Sequence, residues 1–276
     1  MIRPLLALAL LVALTGTARA QGVLVAPTTI VIDGRERAAS VLLVNPNDAA
    51  VEVELSTLYG YTVTDSAGNF SLWTTETPDS AAPSAVEWIR VFPRRVSIAP
   101  RAQQLVRLLV SPPAGLADGE YWARLVVLAR GVPLPVTAPV DSGSVTVGLN
   151  VEVRTVLPML YRKGAVAAGG AVEAVAAVRH GDSVAVHARV GRVGQGAVLG
   201  SVRASLLDAR GAVRDTATLP VAVYETIEPR LVLHADPADP GPHRVRLELV
   251  SERADLPPEA ILRFPASRDS VGVTLP

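Results

Sequence analysis

Apolar and polar positions alternate along most of this chain in short runs. The longest is Ser144–Val153, SVTVGLNVEV, in which Val145, Val147, Leu149, Val151 and Val153 share one face of an extended strand and Thr146, Gly148, Asn150 and Glu152 share the other. Successive strand side chains point to opposite faces, so this period of two predicts a half-buried strand. Val51–Leu55 alternates in the same way. Gln104–Val110 sets Leu105, Arg107 and Leu109 against Val106, Leu108 and Val110, and the arginine fits a strand at a sheet margin. Val86–Phe92 and Gly119–Ala129 read as further strands, and Val23–Ile32 reads as an edge strand or one interrupted at Pro27. Asp33-Gly34 and Asn45-Pro46-Asn47-Asp48 supply turns.

Pro158–Gly170 reads as the passage to a second set of strands, at Val184–Val190, Leu199–Leu207, Ala217–Val223, Arg230–His234 and Arg244–Val250. A last strand is expected in Ile261–Phe264 or Val271–Leu275, and the alanine-rich Ala171–Val178 suits either a strand or a short helix. Short strands punctuated by Gly, Pro, Asn and Asp predict an all-β fold in two unequal domains. The expected division is residues 1–20, 21–157 and 158–276.

The first segment changes the picture of location. MIRPLLALALLVALTGTARAQG opens with a basic residue, continues with a short apolar run and ends in Ala18-Arg19-Ala20, the form of a secretory signal peptide cut after Ala20. The leader carries Arg3 and Arg19, two of 26 basic residues, and none of the 26 acidic ones, so residues 21–276 hold a formal charge of −2. Nothing in that balance attracts nucleic acid or an anionic bilayer in bulk. No further apolar run reaches the length of a membrane-spanning helix. Cysteine is absent, so the expected export to the periplasm comes without disulfides, and core packing alone must hold each domain.

Catalytic signals are sparse. His180, His187, His234 and His243 form no zinc-binding spacing, and no thiolate is present to assist them. No Gly-x-Ser-x-Gly elbow and no phosphate-cradling glycine loop occurs. Neither an enzyme nor a bound cofactor or metal is expected. Trp73, Trp88 and Trp122 are conceivable as a carbohydrate platform, with core packing the plainer role. The strand surface remains. A strand edge offers unpaired backbone groups to an incoming chain, and alternating apolar side chains add pocket contacts. The same valines would equally serve the domain's own core.

An ordered set of pieces resembles the periplasmic pilus-assembly chaperones, the PapD-like family. These are Val25-Ala26-Pro27 through Asp33-Gly34, Ala39–Asn45 with Pro46, Phe92-Pro93-Arg94-Arg95-Val96 with Ile98 and Pro100, Gln104-Leu105-Val106-Arg107-Leu108, Gly119-Glu120-Tyr121, and the closing strand into Leu160-Tyr161-Arg162. The resemblance covers about Gly22–Gly164, and the second domain follows by position. It implies two immunoglobulin-like β-sandwiches, with the first domain's last strand lent to an incomplete secreted subunit. Val145, Val147, Leu149, Val151 and Val153 would be the lent residues. Secreted β-rich, pilin-like subunits would be the partners, with an outer-membrane usher as a second one. One departure stands out. The family's basic pair for a subunit's terminal carboxylate falls on Thr29 and Pro158, neither of which can make a charge-assisted bond. Arg154 and Arg162 stand nearby as substitutes, Arg154 with the parity opposite to the valines and Arg162 also suited to a domain junction. The alternatives are a structural or adhesive envelope sandwich that lends no strand and, further off, a carbohydrate-binding or carbohydrate-active protein.

Overall fold

A computed structural model of the chain describes residues 22–136 and 147–275. The expected signal peptide and Val145 lie outside them. The first sandwich contains β1 (Leu24–Ala26), β2 (Ile30–Asp33), β3 (Ala38–Val44), β4 (Val51–Thr64), β5 (Phe70–Thr75), β6 (Ile89–Phe92), β7 (Arg95–Ile98), β8 (Gln103–Val110), β9 (Gly119–Val136) and β10 (Val147–Lys163). One sheet runs β1-β3-β8-β6; the other runs β2-β10-β9-β4-β5, with β7 also on β4. The second sandwich contains β11 (Ala168–His180), β12 (Ser183–Gly194), β13 (Val198–Leu207), β14 (Val213–Val223), β15 (Thr226–Ile227), β16 (Arg230–His234), β17 (Gly241–Val250) and β18 (Ser267–Leu275). There β12 carries β11 on one side and β15 and β16 on the other, against a sheet in the order β14-β13-β17-β18. The architecture is all-β, in two sheet-rich domains of immunoglobulin-like form.

Alternation decides what is buried. On β8, Val106, Leu108 and Val110 enter the first core while Leu105 and Leu109 stay exposed. This strand is not at a margin: it lies between β3 and β6, and Arg107 is accommodated because its face looks outward. Pro27 divides the first run as its missing N–H requires. Before it, β1 pairs with β3; after it, β2 joins the opposite sheet along β10. Asn45 anchors the turn after β3. Its buried amide donates to the Ile98 and Ala99 carbonyls at 3.0 Å each, and its side-chain oxygen receives the Asn47 N–H at 3.0 Å.

Three local expectations change. Val86–Trp88 is a single 3-10 turn, so the strand begins only at Ile89. Ala171–Val178 is not a helix; it lies within β11, paired with β12, and a register shift between Glu173 and Ala176 accommodates Ala174 at φ 52°. Ladder pairing there overrides alanine's helical preference. The passage expected at Pro158–Gly170 is shorter, because β10 crosses the 157/158 division and continues to Lys163. The last strand, β18, contains Val271–Leu275, while Ile261–Phe264 is irregular.

Candidate functional site

The strand with the longest alternation is β10, and its two edges differ. Along one it pairs antiparallel with β9 from Val147 to Lys163. That ladder contains a bulge: Arg130 and Gly131 together oppose Glu152, and Gly131 takes φ 83°, a conformation suited to glycine. Along the other edge β2 pairs only with Met159–Arg162. Among the described residues, Val147–Pro158 therefore has no strand on the edge away from β9. Such an edge leaves alternate N–H and C=O groups available for pairing.

Four of the five expected donor residues, Val147, Leu149, Val151 and Val153, occupy this stretch. Val147 lies opposite Val136 and Leu149 opposite Leu134. Val151, half-buried, lies opposite Val132. Val153 is half-buried opposite Ala129, packs against the first core, and is approached by the chain at Gly22, where an added Cβ would stand 3.1 Å away. Leu157, Met159 and Tyr161 continue its face into that core.

The outer surface of the neighbouring strands is charge-paired. Arg130 reaches Glu152 at 2.7 Å and Glu54 at 2.9 Å, and Arg95 reaches Glu54 at 3.0 Å. Hydrogen bonds from Arg95 and then Arg130 hold the Glu54 carboxyl below the usual carboxylate range.

Arg154 and Arg162 have different surroundings. Arg154 is exposed opposite Leu128, with no ion pair among the described residues. Arg162 is fully engaged where the two domains meet. Its Nε donates to Glu120 at 2.7 Å, and its terminal nitrogens donate to the Glu259 and Ala260 carbonyls at 2.7 Å each. The Glu120 side chain is completely buried. Its other oxygen accepts from Trp122 Nε1 at 2.9 Å and from the Ala197 N–H of the second domain at 2.8 Å. One carboxylate thus ties β9, β10 and the second sandwich together.

Thr29 and Pro158 each immediately precede the paired Ile30 and Met159, Thr29 in the bend before β2. Pro158 also lies opposite Arg124 of β9. Sequence reasoning passed over Arg124, whose only signal was an arginine inside the apolar run Gly119–Ala129. It is 5% exposed, donates through Nε to the Gly60 carbonyl at 2.8 Å, and lies over the Tyr224 ring at 4.7 Å from the centroid. Its Nη2 is buried without a hydrogen-bond partner. An arginine therefore does stand opposite Pro158, contributed by β9.

Aromatic rings fill the rest of the junction. Tyr59, Trp122 and Leu160 from the first domain pack with Leu199, Tyr224 and Ala260 from the second. Tyr59 stacks on Trp122 with centroids 6.5 Å apart, and Trp122 meets Tyr224 edge-on at 4.9 Å. Burial pushes the Tyr59 hydroxyl up to about 12, and burial raises Tyr224 as well.

The three tryptophans do not form one platform. Trp88 packs edge-on against Tyr161 at 4.8 Å, Trp122 is buried at the junction, and Trp73 is 44% exposed beside Tyr61. Among the described residues, no group of three or more His, Asp or Glu is arranged to hold a metal ion, and no helix is long and apolar enough to cross a membrane.

No family model and no curated protein matches the chain. Solved structures similar to it include the Pseudomonas aeruginosa CupB2 chaperone, with 14% identity across 92% of this chain and 100% of that one at a TM-score of 0.42. The YadV chaperone is similar at 13% identity across 91% and 99% of the two chains, with a TM-score of 0.45. A chain of the CsuC–CsuE chaperone–tip adhesion subunit pre-assembly complex from archaic Csu pili of Acinetobacter baumannii is similar at 15% identity across 75% and 89%, with a TM-score of 0.41.

Proposed function

We propose that this chain is an exported, ATP-independent chaperone of the periplasm that holds secreted β-rich subunits by lending them the edge of β10. The observation that carries the reading is the edge of Val147–Pro158, which no other strand covers among the described residues, in a strand whose sequence alternates apolar residues at Val147, Leu149, Val151 and Val153. An incoming strand would gain ladder bonds along that edge and burial of the alternate side chains, each large one contributing about 1.5–3 kcal/mol before ordering costs. Arg124 is the group we assign to a client's terminal carboxylate, because it lies opposite Pro158 and its Nη2 has no hydrogen-bond partner; since that atom is buried, the assignment requires the junction around Tyr224 to open for the client. Arg162 takes a fastening role, since its Nε and both terminal nitrogens donate into the junction. An outer-membrane usher is the further partner that the resemblance suggests.

The test is co-purification from the periplasm, comparing wild type with the Val147→Asp, Leu149→Asp double variant. Loss of a small secreted β-rich partner, with the circular dichroism spectrum unchanged, is the expected result. An unchanged set of partners in the folded variant sinks strand lending. The second reading, a structural or adhesive envelope sandwich, draws on Val153, which already packs against its own core. Under that reading the double variant loses stability and no partner.

A further inference from the structure

The outer face of the sheet β14-β13-β17-β18 carries an open trough of about 740 Å³ between the β13–β14 turn and the strands β17 and β18. Arg210, Arg244, Arg246 and Arg268 line it. Arg244 and Arg246 are alternate residues of one strand and so share a face, about 7 Å apart. Arg246 and Arg268 both lean on a single carboxylate, Glu248, at 3.7 and 2.7 Å. Arg210 and Arg244 have no carboxylate partner among the described residues.

The acidic groups of the trough do not balance this charge. Asp208 accepts the backbone N–H groups of Arg210 and Ala212 at 2.8 and 2.9 Å and pairs with Arg214 at 2.8 Å. Those bonds, the one from Ala212 first, hold its carboxyl below the usual range. Asp269 is turned to the N–H of Ser270 at 2.7 Å. The charged face of the first sandwich is arranged otherwise, with Arg95, Glu54, Arg130 and Glu152 alternating in sign.

The surface beside Arg244 is also clear. Gly272 lies opposite Arg244 across the β17–β18 ladder, and a Cβ added there would meet nothing within 4 Å. Gly211, in the turn beside Arg210, has the same open surroundings.

We infer that this trough binds a phosphate-bearing anion, through the two uncompensated guanidinium groups of Arg210 and Arg244 with Arg246 beside them. Guanidinium forks match phosphate oxygens two at a time and form the stronger, charge-assisted class of hydrogen bond. The trough is open, so it leaves room for a phosphate group carried on a larger polar body. The site lies in the second domain and does not depend on the reading of β10.

Isothermal titration of the full exported chain with inorganic pyrophosphate tests it, against an Arg210→Ser, Arg244→Ser variant and a Gly272→Glu variant. Arg210 and Arg244 are exposed and the space over Gly272 is open, so both variants keep the fold. Arg107→Ser, on the exposed outer face of the first sandwich, is the control. Saturable binding is expected, weakened about tenfold or more in both trough variants and unchanged in the control. Absence of saturable binding, or equal loss in the control, overturns the proposal. Co-sedimentation with phosphatidylcholine vesicles, with and without phosphatidylglycerol, locates the source. Sedimentation that needs both the anionic lipid and the two arginines assigns a lipid headgroup; pyrophosphate binding without sedimentation assigns a soluble phosphate compound.

Discussion

The two ends of β10 belong to one strand but to different environments. From Leu157 to Lys163 it is enclosed. β9 lies on one edge and β2 on much of the other; Leu157, Met159 and Tyr161 enter the first core; Leu160 and Arg162 enter the domain junction. From Val147 to Val156 it has, among the described residues, β9 alone. An element can therefore be rigidly placed by one end and still offer the other to a partner. Sheets usually blunt a long apolar edge, because it invites pairing; here the enclosed end fixes where that edge begins.

The sharpest way to break the contrast is at Arg162. Arg162→Ala leaves the Glu120 carboxylate buried without its cation, and a loss of about 3–5 kcal/mol is expected in urea unfolding. A loss below about 1 kcal/mol would mean that water reaches Glu120 and the junction is looser than its hydrogen bonds indicate. Next comes a matched pair on one face of the strand. Leu160→Ala removes a fully buried side chain from the junction and should cost about 2–5 kcal/mol. Val156→Ala, half-buried in the open stretch, should cost no more than about 1.5 kcal/mol. Equal losses would show that the open stretch is packed as tightly as the enclosed one.

The smallest effect is alkaline. Tyr59 ionises at about 12 in the folded chain, above its ordinary 10.0. Stability from that shift is complete below pH 10 and is lost as the pH rises through 12. Tyr224 is shifted in the same direction. The thermal midpoint should therefore fall by several degrees between pH 10 and 12, and by less in Tyr59→Phe. An identical fall in Tyr59→Phe would remove this tyrosine as the cause.

The sequence discloses strands better than neighbourhoods. The inward and outward faces of β8 and the break at Pro27 could be read directly, because period-two burial and a missing N–H are local facts. The sheet position of β8 could not be, since Arg107 marks only the face it occupies. Ala171–Val178 was ambiguous because alanine's propensity is weak beside the pairing supplied by β12. The junction was hidden for a different reason. Tyr59, the stretch Glu120–Arg124 and Tyr224 are far apart in the chain, and a carboxylate beside Tyr121 and Trp122 looks no different from one facing water. The alternating valines of β10 were evident, but whether a strand covers their edge depends on the length of β2.

The pairing of β2 with β10 also governs the order in which the molecule can be assembled. Residues 30–33 find their partners only at residues 159–162. A chain emerging amino-terminus first cannot seal its first sandwich until more than half of it is available, and the loop closure carries its entropy cost before those contacts repay it. The second sandwich is built largely from neighbours in sequence, as β11 with β12, β13 with β14 and β17 with β18. Those hairpins appear only after residue 163, when every strand of the first sandwich is already available, so the first sandwich can close before the second is complete.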